Sequence, residues 1–345
     1  MTNRTCTEAS RLDMLEQERN VGTQEEFAAH IRNGLCQGFG KKWINPKFFY
    51  DRTGSCLFDQ ICLQPEYYPT RIEIEILKRY SKDIISNLKC TSASMIEFGS
   101  GSSLKTGIIL EQFFSQGIRV MYFPIDISNA ALVSSVRRLS SEFKNLDIMG
   151  VSSEYLKGIR KICSFIDASS RTPKKKVMIF LGSSIGNFEP DKTRMFLKSI
   201  EQYMQTDTDD NLFVSFDLEK DSHILELAYN DRAGITSKFN LNLLNRINND
   251  LGGTFNVSNF THYARYNKTN RRIEMFIVSR YDQKIHIRDL GQTISLKKNE
   301  RIHTENSYKY SRQEINHLAK DSGLVVTKEY LDAKGWFDLV SLSKR

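Results

Sequence analysis

The chain has 345 residues, 40% of them hydrophobic and 26% charged, with six prolines and a formal net charge of +8. That composition excludes a disordered or fibrous protein and supplies a core for one large domain or two modest ones. Basic residues occur in short runs such as TPKKKV and NRRIE, so a solvated surface is expected rather than a nucleic-acid face.

Residues 1–20 are polar and expected to pack loosely. They hold no apolar segment of a signal peptide, and no run approaches the length of a membrane span. A cytoplasmic, monomeric protein is the expectation. A helix is expected from Thr23, with QEEFAAHI as its amphipathic start. The next stretch, KKWINPKFFYDRTGSCLFDQICLQPEYYPTR, is aromatic-rich and broken by Pro46, Gly54, Pro65 and Pro69. It reads as a segment that wraps or lines something rather than a regular layer. A helix follows from about Pro69 to Tyr80, with proline in its first turn.

From Ser94 strands and helices alternate. SMIEFGS, VMYFPIDIS (ending at Asp126), VMIFLGSS and NLFVSFDLEKD read as strands. SLKTGIILEQFFS, NAALVSSVRRLSSEF and PDKTRMFLKSIEQYM, the last with Asp191 as cap, read as helices. A weaker strand–helix pair covers 144–170. This alternation predicts an α/β fold around a parallel sheet, with ligands beyond the carboxyl ends of its strands. Residues 221–270 break the rhythm with two linked helices and then paired strands that turn near Lys268-Thr269-Asn270. A helix over SRQEINHLAKDSG and two strands close the chain. The six cysteines include no C-x-x-C pair and the six histidines are scattered, so neither a disulfide framework nor a metal site is expected.

Two turns carry chemistry. In Glu97-Phe98-Gly99-Ser100-Gly101 the glycines let a nucleoside-bearing cofactor approach the backbone, and Asp126, ending the next strand, can accept ribose hydroxyls. Leu104 stands where a dinucleotide fingerprint has its last small residue, and Glu97 precedes the turn. Both favour S-adenosylmethionine over a pyrophosphate cofactor. Lys105 reads either as a surface lysine or as a contact to the cofactor's carboxylate. The second turn, FLGSSIGNFEP, matches G-x-S-x-G, which nominates Ser184 as a hydrolase nucleophile with Asp217 and His223. Against this, Ile185–Pro190 separates Ser184 from the next helix start, and no oxyanion motif lies upstream. The alternative reading makes the serines a strand-end turn, bent at Gly186, that delivers Asn187. A noncatalytic cofactor-binding protein is a third reading.

The strings FYDRTGSCLFDQICLQPEYYPTR, IEFGSGSSLKT, FLGSSIGNFEP, AYNDRAGITSKFN, RRIEM and TENSYK together resemble the histidine-specific, S-adenosylmethionine-dependent methyltransferase family over residues 45–345. The family's best-known members make hercynine, the N-alpha-trimethyl betaine of histidine, toward ergothioneine; a related fungal branch methylates the amino group of a prenylated tryptophan. The resemblance implies a Rossmann-like class I methyltransferase sheet over 72–219 and 310–345. An inserted α+β substrate-binding domain would span 21–71 and 220–309.

It further implies that Tyr50 covers the cofactor, that Gly99, Gly101 and Lys105 line its methionine part, and that Asp126 holds the ribose. Tyr67 and Phe58 would wall the amino-acid pocket. Asn187 and Tyr229 would hold the substrate's amino-acid end, with Tyr50, Asn187 and Tyr229 nearest the chemistry. Glu305 and Ser307 would read the imidazole, and Met275 would pack beside it. By position alone, Glu305 is equally a solvated strand-end residue. Where many family members have Gly-Asp-Phe, this chain has Gly150-Val151-Ser152. Val151 cannot accept from the adenine amino group, which leaves the backbone, Ser152 or Ser153.

Overall fold

The strands SASMIEF, RVMYFPID, KVMIF and NLFVSFD are almost continuously buried, the pattern of strands covered on both faces. In the computed structural model, which describes residues 24–101 and 103–345, they form the middle of an eight-stranded sheet. Ser92–Phe98 lies between Arg119–Asp126 and Lys176–Phe180, parallel to both. Asn211–Asp217 continues the parallel set beside Lys176–Phe180. The terminal hairpin, Leu324–Leu331 and Phe337–Lys344, adds antiparallel to Asn211–Asp217. The order therefore reverses at Ser92–Phe98, whose successors in sequence lie on opposite sides. Such a switch point opens a crevice beyond the strand ends.

Pro124 stands inside Arg119–Asp126, where proline removes a ladder donor. The carbonyls of Tyr122 and Asp126 accept from Met149 and Ser153, so the even-numbered residues face that edge, Pro124 among them. There the edge strand is split into Asp147–Ile148 and Val151–Ser152, each paired to Arg119–Asp126. The break in pairing coincides with the missing N–H.

The chain divides into two compact units. Among the described residues, Pro69–Leu218 with Tyr310–Arg345 form the first, and residues 24–68 with Glu219–Lys309 the second. The first holds the eight-stranded sheet, and its core gathers Phe98, Phe123, Phe180, Phe196 and Phe216 with aliphatic neighbours. The second holds a four-stranded sheet in the order Lys42–Trp43, Arg301–Tyr308, Arg272–Ser279, Phe260–Asn267, and a separate hairpin of Gln283–Ile287 with Gln292–Leu296. Its long helix Ile235–Leu251 packs on the helix Arg52–Cys62 and on Phe260–Asn267.

Three local expectations change. The segment read as irregular contains the helix Arg52–Cys62. Asp51 caps it by accepting from the Gly54 amide at 2.6 Å. Gly54 is a packing requirement rather than a break, because a Cβ there would lie 1.7 Å from the Phe49 carbonyl oxygen. Asp191 is not a cap: Pro190–Glu201 is preceded by Glu189, with Pro190 at the first position, where a missing N–H costs nothing. The bend near 182–187 is taken by Gly182 and Ser183, at φ +78° and +53°, while Gly186 lies within a 3-10 turn. The expected Thr23 cap and the polar 1–20 segment lie outside the described residues. Among the described residues no helix is long and apolar enough to cross a membrane.

Candidate active site

At the switch point of the first unit, Gly99 and Gly101 adopt φ of +71° and +48°, a region costly for residues with a Cβ. A Cβ on Gly99 would also come within 3.0 Å of the Tyr155 hydroxyl. Asp126 is buried at the end of the neighbouring strand. Its two oxygens accept from the amides of Gly101 at 2.9 Å and Ser128 at 2.8 Å. Burial pushes its carboxyl upward, against those backbone bonds. A carboxylate has about four acceptor positions, so Asp126 keeps capacity for a ligand diol. Ser152 is paired beside Asp126 in the sheet register.

Glu97 faces inward. It accepts from Thr106 Oγ1 at 2.8 Å and from the Tyr122 hydroxyl, and burial raises its pKa to about 7. It braces the turn from behind. Lys105, opening the helix Leu104–Ser115, places its ammonium 2.5 Å from Glu73 Oε2. Glu73, with no exposed side-chain surface, also accepts from the Gly182 amide at 2.8 Å. Through Glu73, Lys105 is tied to the 182–187 turn. Sequence reading passed over Glu73. Its signal was a carboxylate sharing a helix face with Ile76 and Leu77, both buried.

In the 182–187 turn, Ser183 Oγ accepts from the Asp217 amide at 2.9 Å, and the Ser183 amide donates to Ser215 at 3.1 Å. Ser184 Oγ donates to the Leu181 carbonyl at 3.3 Å. Among the described residues no histidine bonds it, so the hydrolase reading has no base. Ser183 anchors the turn to the neighbouring strand, Ser184 closes it on its own backbone, and half-buried Asn187 stands at its end. Among the described residues the Asn187 side-chain amide has no hydrogen-bond partner.

The second unit brings its nominated residues into one chain of contacts. The Tyr50 ring meets Phe58 edge-on at 5.7 Å, Phe58 meets Tyr67 at 6.2 Å, and Tyr67 meets Tyr229 at 6.3 Å. Burial, then the neighbouring Tyr229, drives the Tyr67 hydroxyl well above its ordinary pKa, so it stays a neutral phenol. The Tyr229 hydroxyl lies 2.7 Å from Ser307 Oγ. Met275 is directly opposite Glu305 in the strand register, hence on the same face.

Glu305 is 9% exposed, and among the described residues its carboxylate accepts no hydrogen bond. Burial lifts its pKa to about 7, with Lys309 opposing. A largely buried carboxylate without a protein donor is costly unless a ligand supplies one.

Two contributors escaped sequence reading. His262 Nε2 donates to the Tyr229 carbonyl at 2.8 Å, while Asn240 donates to Nδ1 at 2.8 Å. Burial lowers its pKa, so a neutral imidazole pins the Tyr229 backbone. Lys309 donates to Ser307 Oγ at 2.8 Å. The two-residue period of the strand Arg301–Tyr308, carried one residue past its end, puts 305, 307 and 309 on one side, a signal present in TENSYK. Among the described residues no group of histidine, cysteine or acidic side chains is arranged to hold a metal.

Sequence comparison with known proteins identifies the family. The sequence model of the family described as "histidine-specific methyltransferase, SAM-dependent" matches residues 27–344. The chain is 33% identical over 325 residues to the histidine N-alpha-methyltransferase of Mycobacterium tuberculosis, covering 92% of this chain and 97% of that one. It is 32% identical to the protein of the same name from Mycolicibacterium smegmatis, covering 91% and 94%. It is 28% identical to the L-tryptophan methyltransferase trpM of Psilocybe serbica, covering 96% of each.

Proposed function

This chain belongs to the histidine-specific, S-adenosylmethionine-dependent methyltransferase family, and on that premise we propose that it trimethylates the α-amino group of L-histidine to give hercynine. The observation that carries the substrate assignment is the buried, unpartnered Glu305 carboxylate beside Ser307. An imidazole N–H satisfies Glu305, and the other ring nitrogen meets Ser307.

The first unit holds the cofactor in this reading. Gly99 and Gly101 admit it, Asp126 accepts its ribose hydroxyls, Lys105 faces its carboxylate, and Ser152 lies toward the adenine. The residues suit such a ligand because the turn has no Cβ at its two left-handed glycines and Asp126 retains acceptor positions. When bound, the cofactor supplies an electrophilic methyl on a good leaving group. The second unit is the substrate-binding domain.

The protein's task is alignment: the amine must be neutral and its lone pair aimed. Asn187 and Tyr229 orient the amino-acid end with groups that do not compete as nucleophiles. The rings of Tyr50, Tyr67 and Tyr229 offer faces that favour a cationic ammonium as methyls accumulate. Aromatic walls also leave room for three methyl groups, which a tight ionic cage would not.

A mass-spectrometric screen of amino acids with S-adenosylmethionine tests the proposal. Histidine should gain three methyl groups. Methylation of tryptophan or a modified tryptophan with none of histidine would overturn it.

A further inference from the structure

Lys309 stands within hydrogen-bond reach of two hydroxyls. Its ammonium is 2.8 Å from Ser307 Oγ and 3.3 Å from the Tyr229 hydroxyl, and it lies over the Tyr229 ring, 5.1 Å from the centroid. It is 3% exposed and carries only donors. The Tyr229 hydroxyl is in turn 2.7 Å from Ser307 Oγ. The phenol is the stronger acid of the two hydroxyls. With Lys309 donating to it, its own hydrogen goes to Ser307. Ser307 Oγ thus accepts twice, from Lys309 and from Tyr229, which uses both of its lone pairs. Its hydrogen has no acceptor among the described residues.

We propose that Lys309 is a specificity-determining positioning residue: by filling the acceptor side of Ser307, it makes that hydroxyl an obligate donor toward the substrate ring. This rests on the reading that Glu305 and Ser307 face the ring. It goes further, because a serine alone could donate or accept and would not tell an imidazole from a pyrrole-type ring. With Lys309 in place, the pair presents one acceptor, Glu305, and one donor, Ser307. The ring that satisfies both has one N–H and one bare nitrogen, which is the neutral imidazole. An indole or pyrrole offers N–H only and leaves the Ser307 hydrogen buried and unpaired, a loss a polar site penalises strongly.

The test measures binding to the full-length protein by calorimetry with saturating S-adenosylhomocysteine. Three amino acids are compared: histidine, triazolylalanine (ring N–H and bare nitrogen) and pyrrolylalanine (ring N–H only). Wild type should favour triazolylalanine over pyrrolylalanine by about 100-fold or more. Lys309→Met, which frees a Ser307 lone pair, should reduce that ratio at least about tenfold and raise the KM for histidine about 10-fold, with kcat nearly unchanged. Lys309→Arg should retain the wild-type preference, and S-adenosylhomocysteine affinity should be unchanged in both. An unaltered ratio in Lys309→Met overturns the assignment, as does equal loss of S-adenosylhomocysteine and histidine binding. If that variant does not fold, wild-type protein that binds the two analogues equally overturns it. Wild-type protein that binds neither histidine nor triazolylalanine removes the histidine reading as well, whereas binding without discrimination removes only the role of Lys309.

Discussion

Replacing Glu305 with glutamine separates the cost of this carboxylate from its use. Burial lifts its pKa from the ordinary 4.5 to about 7, and Lys309 only partly offsets that penalty. Between those two values the folded protein keeps a proton that the unfolded chain has released. Its stability therefore falls as pH rises from about 4.5 through about 7 and levels off above. At about 1.4 kcal/mol per pH unit, the interval amounts to about 3 kcal/mol, an upper figure because solvent still reaches part of the group. Glutamine has nearly the same shape and does not ionise. In urea unfolding of ligand-free protein, the stability of Glu305→Gln relative to wild type should rise by about 2–3 kcal/mol from pH 5 to pH 8. The same variant should bind histidine at least about tenfold more weakly, because a charge-assisted bond becomes a neutral one, with cofactor affinity unchanged. A relative stability that does not change with pH would refute the largely buried, unpartnered carboxylate. A variant that loses histidine and cofactor binding equally would refute its assignment to the substrate.

Asp126→Ala removes the acceptor for the Gly101 and Ser128 amides and should weaken cofactor binding by about 30-fold or more. Calorimetry showing intact cofactor affinity would contradict the ribose assignment. Gly54→Ala forces a Cβ against the Phe49 carbonyl and should cost more than about 2 kcal/mol, read as a lowered Tm. Ser184→Ala loses only a long bond to a carbonyl, so methyl transfer should stay within about twofold of wild type. Abolished activity would return Ser184 to the centre of the chemistry.

The sheet was legible because its signal is local. Continuous apolar strands alternate with amphipathic helices from Ser92 to Asp217, and the turns at 99–101 and 182–187 fall where strand runs end. The helix Arg52–Cys62 was not legible, because Gly54 looks like a breaker until the Phe49 carbonyl is seen against it. Glu73 and Lys309 were passed over for a related reason. Charged residues on a helix or just past a strand read as solvent-facing, and only packing shows that both are buried. The Gly150-Val151-Ser152 departure stays as the sequence presents it, with Ser152 now set beside Asp126.

The sequence by itself determined the alternating α/β pattern, the two glycine turns and the residue types available for an amine, a diol and an imidazole. These follow from short-range periodicity and backbone preferences, which a linear chain carries. The tertiary structure decided which of those groups are dry and which are paired. Tyr50, Phe58 and Tyr67 lie in one aromatic-rich stretch and Tyr229 in a distant one, and the four form one aromatic chain only when the second unit folds. Glu305 becomes a recognition group rather than a solvated acid for the same reason: exclusion of water depends on neighbours distant in sequence, and it sets both the carboxylate's proton affinity and its need for a donor.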